Sequence, residues 1–211
     1  MKNNLRGKLR SREETILKRS RTSEKRAMRK AAVHKPHVYT IGHSTRTIES
    51  FISILKVYGI KEVVDIRTIP RSRHNPQFNK DTFPESLKKS NIRYVHMAGL
   101  GGLRHATPDS VNKAWRNASF RGYADYMQTS EFESALEKLV ELSGRRRVVL
   151  MCAEALPWRC HRSLVADALL IRKIHAIDIF SPTISKKHLL TPWAKVRGKR
   201  VTYPIAGSKS E

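Results

Sequence analysis

The amino-acid sequence predicts an α/β fold, a Rossmann-like three-layer sandwich on a mostly parallel sheet of about five strands. Short apolar, β-branched runs alternate with segments whose apolar residues recur at helical spacing. Unusual polar residues follow these runs, as they do where parallel strands end at a common edge. Strands that alternate with helices are joined by right-handed crossovers, so we expect helices on both faces of the sheet.

The predicted strands are short and mostly apolar, as strands buried on both faces are. They cover residues 37–42, 62–67, 92–97, 148–151 and 176–180. The predicted helices cover residues 47–58, 84–90, 123–128, 130–142 and a last segment that begins at Cys160. Thr47 is the expected N-cap of the first helix and Gly59 its expected stop. Residues 100–122 are expected to form a long excursion between the third strand and the next helix.

Charge divides the 211-residue chain into three parts. Residues 1–36 hold 13 basic and three acidic residues with few large apolar ones, which predicts a basic N-terminal arm that is disordered or a solvated helix. Residues 37–181 are the expected α/β domain, with a single core. Residues 182–211 hold seven basic residues and one acidic residue, which predicts a weakly ordered basic C-terminal tail.

The formal net charge of +24 favours a polyanionic partner, because basic residues release counterions from phosphates. DNA or RNA bound through the basic termini is the expected partner, and a purely solubilising role is the alternative. No run of about 18 apolar residues occurs, which predicts no membrane insertion. Two cysteines and no signal-peptide pattern favour a cytoplasmic location, with a nucleoid, nuclear or organellar location as alternatives.

Four polar clusters follow predicted strands, at residues 42–44, 65–67, 96–102 and 152–162, and we expect them at one rim of the sheet. Arginine forks and the N-terminus of a helix both suit a phosphate group. The candidate anion-binding residues are His43, Ser44, Asp65, Arg67, Arg71, Arg73, Tyr94, Arg104, Cys160 and Arg162. The alternative for Arg67 is an ion pair with Asp65 or Glu154 that only holds loops together.

The candidate catalytic residues are Glu154, Cys152 and His161. A thiol at a helix N-terminus beside arginine favours its thiolate, and a carboxylate in such a cleft suits acid–base chemistry or charge stabilisation. A buried, inert thiol at a strand end is the alternative for Cys152. Cys152, Cys160 and His161, joined by His43 or His96, are also possible zinc ligands. Their spacing is not that of usual zinc sites, and no Gly-x-Gly-x-x-Gly turn follows a strand, so we predict no metal and no other cofactor.

Several separated motifs resemble the signature of the DUF488 family, the domain of unknown function 488. They are Thr40-Ile41-Gly42-His43-Ser44, Asp65-Ile66-Arg67-x-x-Pro70-x-Ser72, Tyr94, Leu100-Gly101-Gly102 and Cys152-Ala153-Glu154-x-x-Pro157-x-x-Cys160-His161-Arg162. The resemblance spans about residues 37–181. It implies a Rossmann-like α/β domain with an active-looking cleft, and it implies no particular reaction.

The leading functional prediction is a hydrolase or transferase that acts on a phosphate-bearing substrate, such as a nucleotide or nucleic acid. The absence of a dinucleotide-binding turn makes hydride transfer a poorer fit. A non-enzymatic nucleic-acid-binding protein is the first alternative. A thiol-based redox or sulfur-transfer protein is the second.

Overall fold

Five parallel strands and one antiparallel edge strand form the central sheet of the computed structural model, which describes residues 37–205. The parallel strands are β1 (His37–Gly42), β2 (Glu62–Asp65), β3 (Arg93–His96), β4 (Val148–Cys152) and β5 (His175–Ile179). Strand β6 (Ser185–Lys187) pairs antiparallel with β5, and the order across the sheet is β3-β2-β4-β1-β5-β6. The predicted α/β sandwich with a mostly parallel sheet is confirmed, with a sixth strand that the sequence did not predict.

Within the described residues, five α-helices flank the sheet. They are α1 (Ile48–Val57), α2 (Phe83–Lys88), α3 (Ala118–Tyr126), α4 (Ser130–Arg145) and α5 (Arg162–Leu170). Thr47 caps α1 as predicted, since its side chain accepts a hydrogen bond from the Ser50 amide. Helix α3 starts five residues earlier than predicted, because the Asn117 side chain accepts from the amides of its first turn. None of the helices within residues 37–205 is both long and apolar enough to span a membrane.

Two hydrophobic cores cover the two faces of the sheet. Alternate residues of β4 serve each of them: Val148 and Leu150 belong to one core, Val149 and Met151 to the other. The first core contains residues of α3, α4 and α5, and the second contains residues of α1 and α2. The unbroken apolar pattern of the central strands follows from this two-sided burial.

Residues 182–205 differ from the weakly ordered tail that the sequence predicts. After β6, strands β7 (Lys195–Arg197) and β8 (Arg200–Thr202) form a hairpin, and Tyr203 is fully buried. The Tyr203 hydroxyl donates to Asp167 of α5 at 2.8 Å, and the His188 ring bonds the same carboxylate. A few buried contacts thus order a basic segment whose composition alone favours disorder. The predicted N-terminal arm, residues 1–36, and residues 206–211 lie outside the described residues.

Candidate functional site

A cleft of about 540 Å³ opens at the carboxyl ends of β1 and β4. The chain leaves β1 and β4 toward opposite sides of the sheet, because β1 continues to β2 while β4 continues to β5. Adjacent parallel strands whose connections diverge in this way leave a crevice between their loops, which is where open α/β sheets bind ligands. The cleft lies at the sheet edge that the sequence predicts.

The loops after β1 and β4 form one continuous wall of this cleft. The amides of His43 and Ser44 donate to the carbonyls of Cys152 and Ala153, each at 2.9 Å, and so extend the β1–β4 ladder beyond the strands. At Gly42 a Cβ atom would stand 1.9 Å from the Glu154 carbonyl oxygen. Only glycine therefore permits this close approach of the two backbones.

Arg162 is buried and fixes the loop that follows β4. Its side chain is 1% exposed and donates to the carbonyl oxygens of Glu154 and Ala155, the latter at 2.7 Å. It does not line the cleft. The arginine predicted to bind an anion is therefore engaged in fixing the loop between β4 and α5.

Arg67 lies beneath the cleft in a buried network. Its Nε and Nη2 donate to the two carboxylate oxygens of Asp65 at 2.9 and 2.6 Å, and Nη2 also donates to the Phe78 carbonyl. Tyr94 donates its hydroxyl to Asp65 at 2.8 Å. Burial and the Asp65 charge raise the pKa of Tyr94, so this hydroxyl remains a donor. The arrangement is the loop-holding alternative that the sequence left open for Arg67.

His43 connects this network to the cleft that it lines. Its Nδ1 donates to the Ser44 carbonyl at 2.8 Å, and its Nε2 lies 3.3 Å from Nη1 of Arg67. Burial, assisted by the Arg67 charge, lowers the pKa of His43 to about 4. The ring is therefore neutral near pH 7, with both nitrogens engaged.

Cys152, Cys160 and His161 form a cluster on the cleft wall. The two sulfurs and one ring nitrogen all lie within 4.8 Å of one another, and both thiols are free. Sγ of Cys160 is 3.8 Å from Nδ1 of His161, whose Nε2 lies 3.2 Å from the Ile66 carbonyl oxygen. A hydrogen bond from the Cys152 thiol, together with His161, lowers the pKa of Cys160, and the same hydrogen bond and burial raise the pKa of Cys152.

Six of the predicted site residues line the cleft, and seven do not. Those that line it are His43, Ser44, Cys152, Glu154, Cys160 and His161. Those that do not are Asp65, Arg67, Arg71, Arg73, Tyr94, Arg104 and Arg162. Arg71 and Arg73 are exposed, and the Arg104 guanidinium lies 3.6 Å from the centre of the Tyr126 ring. The predicted arginines thus do not converge on one cavity.

Several residues that line the cleft were not predicted as site residues. Arg159 lies in the β4–α5 loop, where Arg162 drew the prediction instead. Leu103 lines the cleft with a left-handed backbone angle, φ 57°. Ser119 and Phe120 reach the cleft because α3 starts earlier than predicted. Of these, only Arg159 carried a signal in the sequence, because it is a cation between the two candidate thiols, Cys152 and Cys160.

The comparison with family profiles agrees with the motifs. No curated protein and no solved structure matches the chain. The profile described as domain of unknown function DUF488 matches residues 47–169, which is more than half of the chain. The match includes the loop between β4 and α5 and nearly all of α5. The resemblance that the motifs indicate is thereby confirmed, and the chain belongs to the DUF488 family.

Proposed function

We propose that this protein is a hydrolase or transferase in which Cys160 is the nucleophile and His161 its base. One observation carries the proposal: Cys160 Sγ lies 3.8 Å from His161 Nδ1, while His161 Nε2 bonds the Ile66 carbonyl at 3.2 Å. The carbonyl accepts a hydrogen bond from Nε2–H, which leaves the unprotonated Nδ1 directed at the sulfur. A nucleophile, a base and a group that orients the base are the parts that covalent catalysis requires.

The reaction proceeds in two balanced steps. The Cys160 thiol gives its proton to Nδ1 of His161, and the sulfur bonds to the electrophilic atom of the substrate as the bond to the leaving group breaks. The proton on His161 passes to that leaving group. Water, or a second acceptor in a transferase, then gives a proton to His161 and attacks the same atom. The bond to sulfur breaks, and the free enzyme is restored.

Cys152 and Glu154 have supporting roles in this mechanism. The Cys152 thiol donates a hydrogen bond to Cys160, which stabilises the attacking thiolate. Its own raised pKa makes it the weaker nucleophile of the two. Glu154 lines the cleft and is the candidate for orienting the attacking water. Relative to the sequence-based prediction, the nucleophile moves from Cys152 to Cys160.

The substrate class follows from the polar lining of the cleft. Within residues 37–205, Arg159 is the arginine that lines it, and Ser44, Ser72 and Asn75 add hydrogen-bonding groups. These side chains support a phosphate-bearing substrate such as a nucleotide. A cytoplasmic location fits the mechanism, because a reducing compartment keeps both thiols free.

The proposal is tested by labelling and turnover of the reduced full-length chain. At neutral pH, iodoacetamide should alkylate Cys160 faster than Cys152, as read by peptide mass spectrometry. His161→Ala should slow the labelling of Cys160, and His74→Ala, a change of an exposed histidine outside the cleft lining, should not. Turnover of nucleotides or other phosphate esters should vanish in Cys160→Ser. Labelling of Cys160 no faster than in the urea-unfolded chain would refute the nucleophile.

Substrate recognition has its own comparison. Arg159→Ala should weaken binding of a nucleotide, while Arg197→Ala, an exposed arginine of β7 that does not line the cleft, should leave it unchanged. Equal affinities in the two variants would remove Arg159 from the proposal and leave the thiol chemistry in place.

Nucleic-acid binding is a second candidate, and the net charge of +24 favours it. It is compatible with catalysis in the cleft, since a basic chain surface can hold the polymer that carries the reacting group. A thiol-based redox or sulfur-transfer function is a third candidate, because two free thiols share one cluster. That function predicts that a mild oxidant joins Cys152 and Cys160 in a disulfide, which mass spectrometry of the non-reduced chain detects.

A further inference from the structure

We infer that Cys152, Cys160 and His161 form a binding site for a thiophilic metal ion, Zn²⁺, whose fourth coordination position opens into the cleft. The donor atoms of the three side chains all lie within 4.8 Å of one another, on a wall that the cleft exposes. This inference differs from the sequence-based prediction of no metal, which was based on the spacing of the ligands along the chain.

The distances suit tetrahedral coordination. With Zn–S of about 2.3 Å and Zn–N of about 2.0 Å, neighbouring sulfur and nitrogen ligands of a tetrahedral site are roughly 3.6 Å apart. Cys160 Sγ and His161 Nδ1 are 3.8 Å apart. The two atoms therefore need to move by only a fraction of an ångström to bind one ion.

The surroundings orient the ligands as metal sites require. A histidine ligand usually donates its second ring N–H to a carbonyl or carboxylate, which fixes the ring. His161 Nε2 bonds the Ile66 carbonyl at 3.2 Å, so Nδ1 is the nitrogen left for the metal. A Cβ atom on Gly102 would lie 3.0 Å from that Nδ1, so glycine keeps the approach to it open. Arg162 fixes the loop that joins the two cysteines.

The ligand types select the ion. Two thiolates and an imidazole are soft donors that prefer Zn²⁺ to Mg²⁺ or Ca²⁺. His43 also lines the cleft, but both of its ring nitrogens are already bonded. Three protein ligands and an open position are typical of zinc sites that bind water or a substrate atom. As Zn²⁺ binds, the protons still on the two thiols leave for solvent.

The metal site is independent of the proposed function, although it uses the same side chains. One consequence does rest on the proposed function: a thiolate bonded to Zn²⁺ is a weaker nucleophile than a free one, so Zn²⁺ would slow the reaction of Cys160. Zinc would then act as a reversible inhibitor of the thiol chemistry.

The inference is tested on the full chain, reduced and freed of metal with a chelator. Co²⁺, a spectroscopic substitute for Zn²⁺, should give a near-ultraviolet thiolate-to-cobalt band that saturates at one ion per chain, and Zn²⁺ should abolish the band. Removal of one ligand, in Cys152→Ser, Cys160→Ser or His161→Ala, should weaken Zn²⁺ binding by more than about 100-fold, since loss of an outer-shell partner alone costs 10–100-fold. His74→Ala is the matched control and should bind as the wild type does.

A second measurement does not depend on the folding of the variants. Zn²⁺ should protect both cysteines of the wild-type chain from iodoacetamide, and chelation should restore their labelling. Absence of the thiolate band, or unchanged labelling with Zn²⁺ present, would overturn the metal site. If Cys160 still labels rapidly in that case, the proposed nucleophile stands alone. If turnover instead requires Zn²⁺, the metal site stands and Cys160 is a ligand rather than a nucleophile.

Discussion

Arg67 and Asp65 form a bidentate ion pair beneath the cleft, with Nε 2.9 Å from Oδ1 and Nη2 2.6 Å from Oδ2. Asp65 is fully buried and Arg67 is 6% exposed. A buried pair with this geometry fixes the loop after β2, and it leaves little of the Arg67 fork for a ligand. The pair therefore supports the cleft from below.

Arg67→Ala is expected to destabilise the fold by about 3–5 kcal/mol, because it leaves the buried Asp65 carboxylate without its partner. The double variant Arg67→Met/Asp65→Leu removes both charges and should be less destabilised than Arg67→Ala. Urea unfolding measures both free energies. A folded Arg67→Ala chain of wild-type stability that has lost only ligand binding would favour the anion-binding role that the sequence predicts.

The same ion pair separates what could be predicted from the sequence from what could not. The alternation of apolar runs and amphipathic segments determines which face each element buries, and this pattern is local enough to read directly. The choice of Arg67 between Asp65 and an anion depends on distances between loops, which spacing along the chain does not contain. The start of α3 after its cap Asn117 and the order in residues 182–205 were missed for a related reason. A single cap and a few buried side chains, such as Tyr203, outweigh the polar composition there.

Gly42→Ala is expected to cost about 1–3 kcal/mol or more, because the new Cβ would meet the Glu154 carbonyl at 1.9 Å and backbone cannot rotate away as a side chain does. The matched change is Gly144→Ala, in the exposed last turn of α4, where a Cβ meets nothing within 4 Å. That variant should gain about 0.5–1 kcal/mol from the higher helix propensity of alanine. Thermal unfolding compares the two, and equal effects would contradict the close packing of the β1 and β4 loops.

The raised pKa of His188 predicts that the free energy of unfolding falls at alkaline pH. Burial alone would lower its pKa, but hydrogen bonds to Asp167 and Asp178 outweigh burial and raise the pKa from 6.5 to about 9. The folded chain therefore holds this proton more tightly than the unfolded chain does. The resulting stability, roughly 3 kcal/mol, is fully present below pH 6.5 and is lost as the pH rises through about 9.

His188→Gln is expected to lose that part of the pH dependence, while His175→Gln, at the exposed start of β5, keeps it. Urea unfolding between pH 6.5 and 9 measures the slopes. Parallel stability profiles for the wild type and His188→Gln would show that the aspartates do not hold the proton.

Leu103 combines an unfavourable backbone angle with a place in the cleft lining. Its side chain is 74% exposed and its φ is 57°, a region that costs a non-glycine residue about 1–2 kcal/mol. Leu103→Gly should therefore leave stability unchanged or raise it by up to about 1 kcal/mol, as should Lys173→Gly, at φ 63° just after α5. Only Leu103→Gly should change how fast a bulky maleimide labels Cys160 relative to iodoacetamide. The same ratio in both variants would mean that Leu103 does not restrict the cleft.

The basic N-terminal segment gives the last prediction, which concerns binding rather than stability. Each phosphate neutralised by a protein cation adds about 0.9 to the slope of log K against log salt on duplex DNA. Removal of residues 1–36, with 13 basic and three acidic residues, should therefore weaken DNA or RNA binding at low salt and reduce that slope. Removal of residues 206–211 is the matched control, because Lys209 and Glu211 cancel and the net charge is unchanged. Fluorescence anisotropy over a salt series measures both truncations. An unchanged slope without residues 1–36 would assign any binding to the basic residues of the remaining chain.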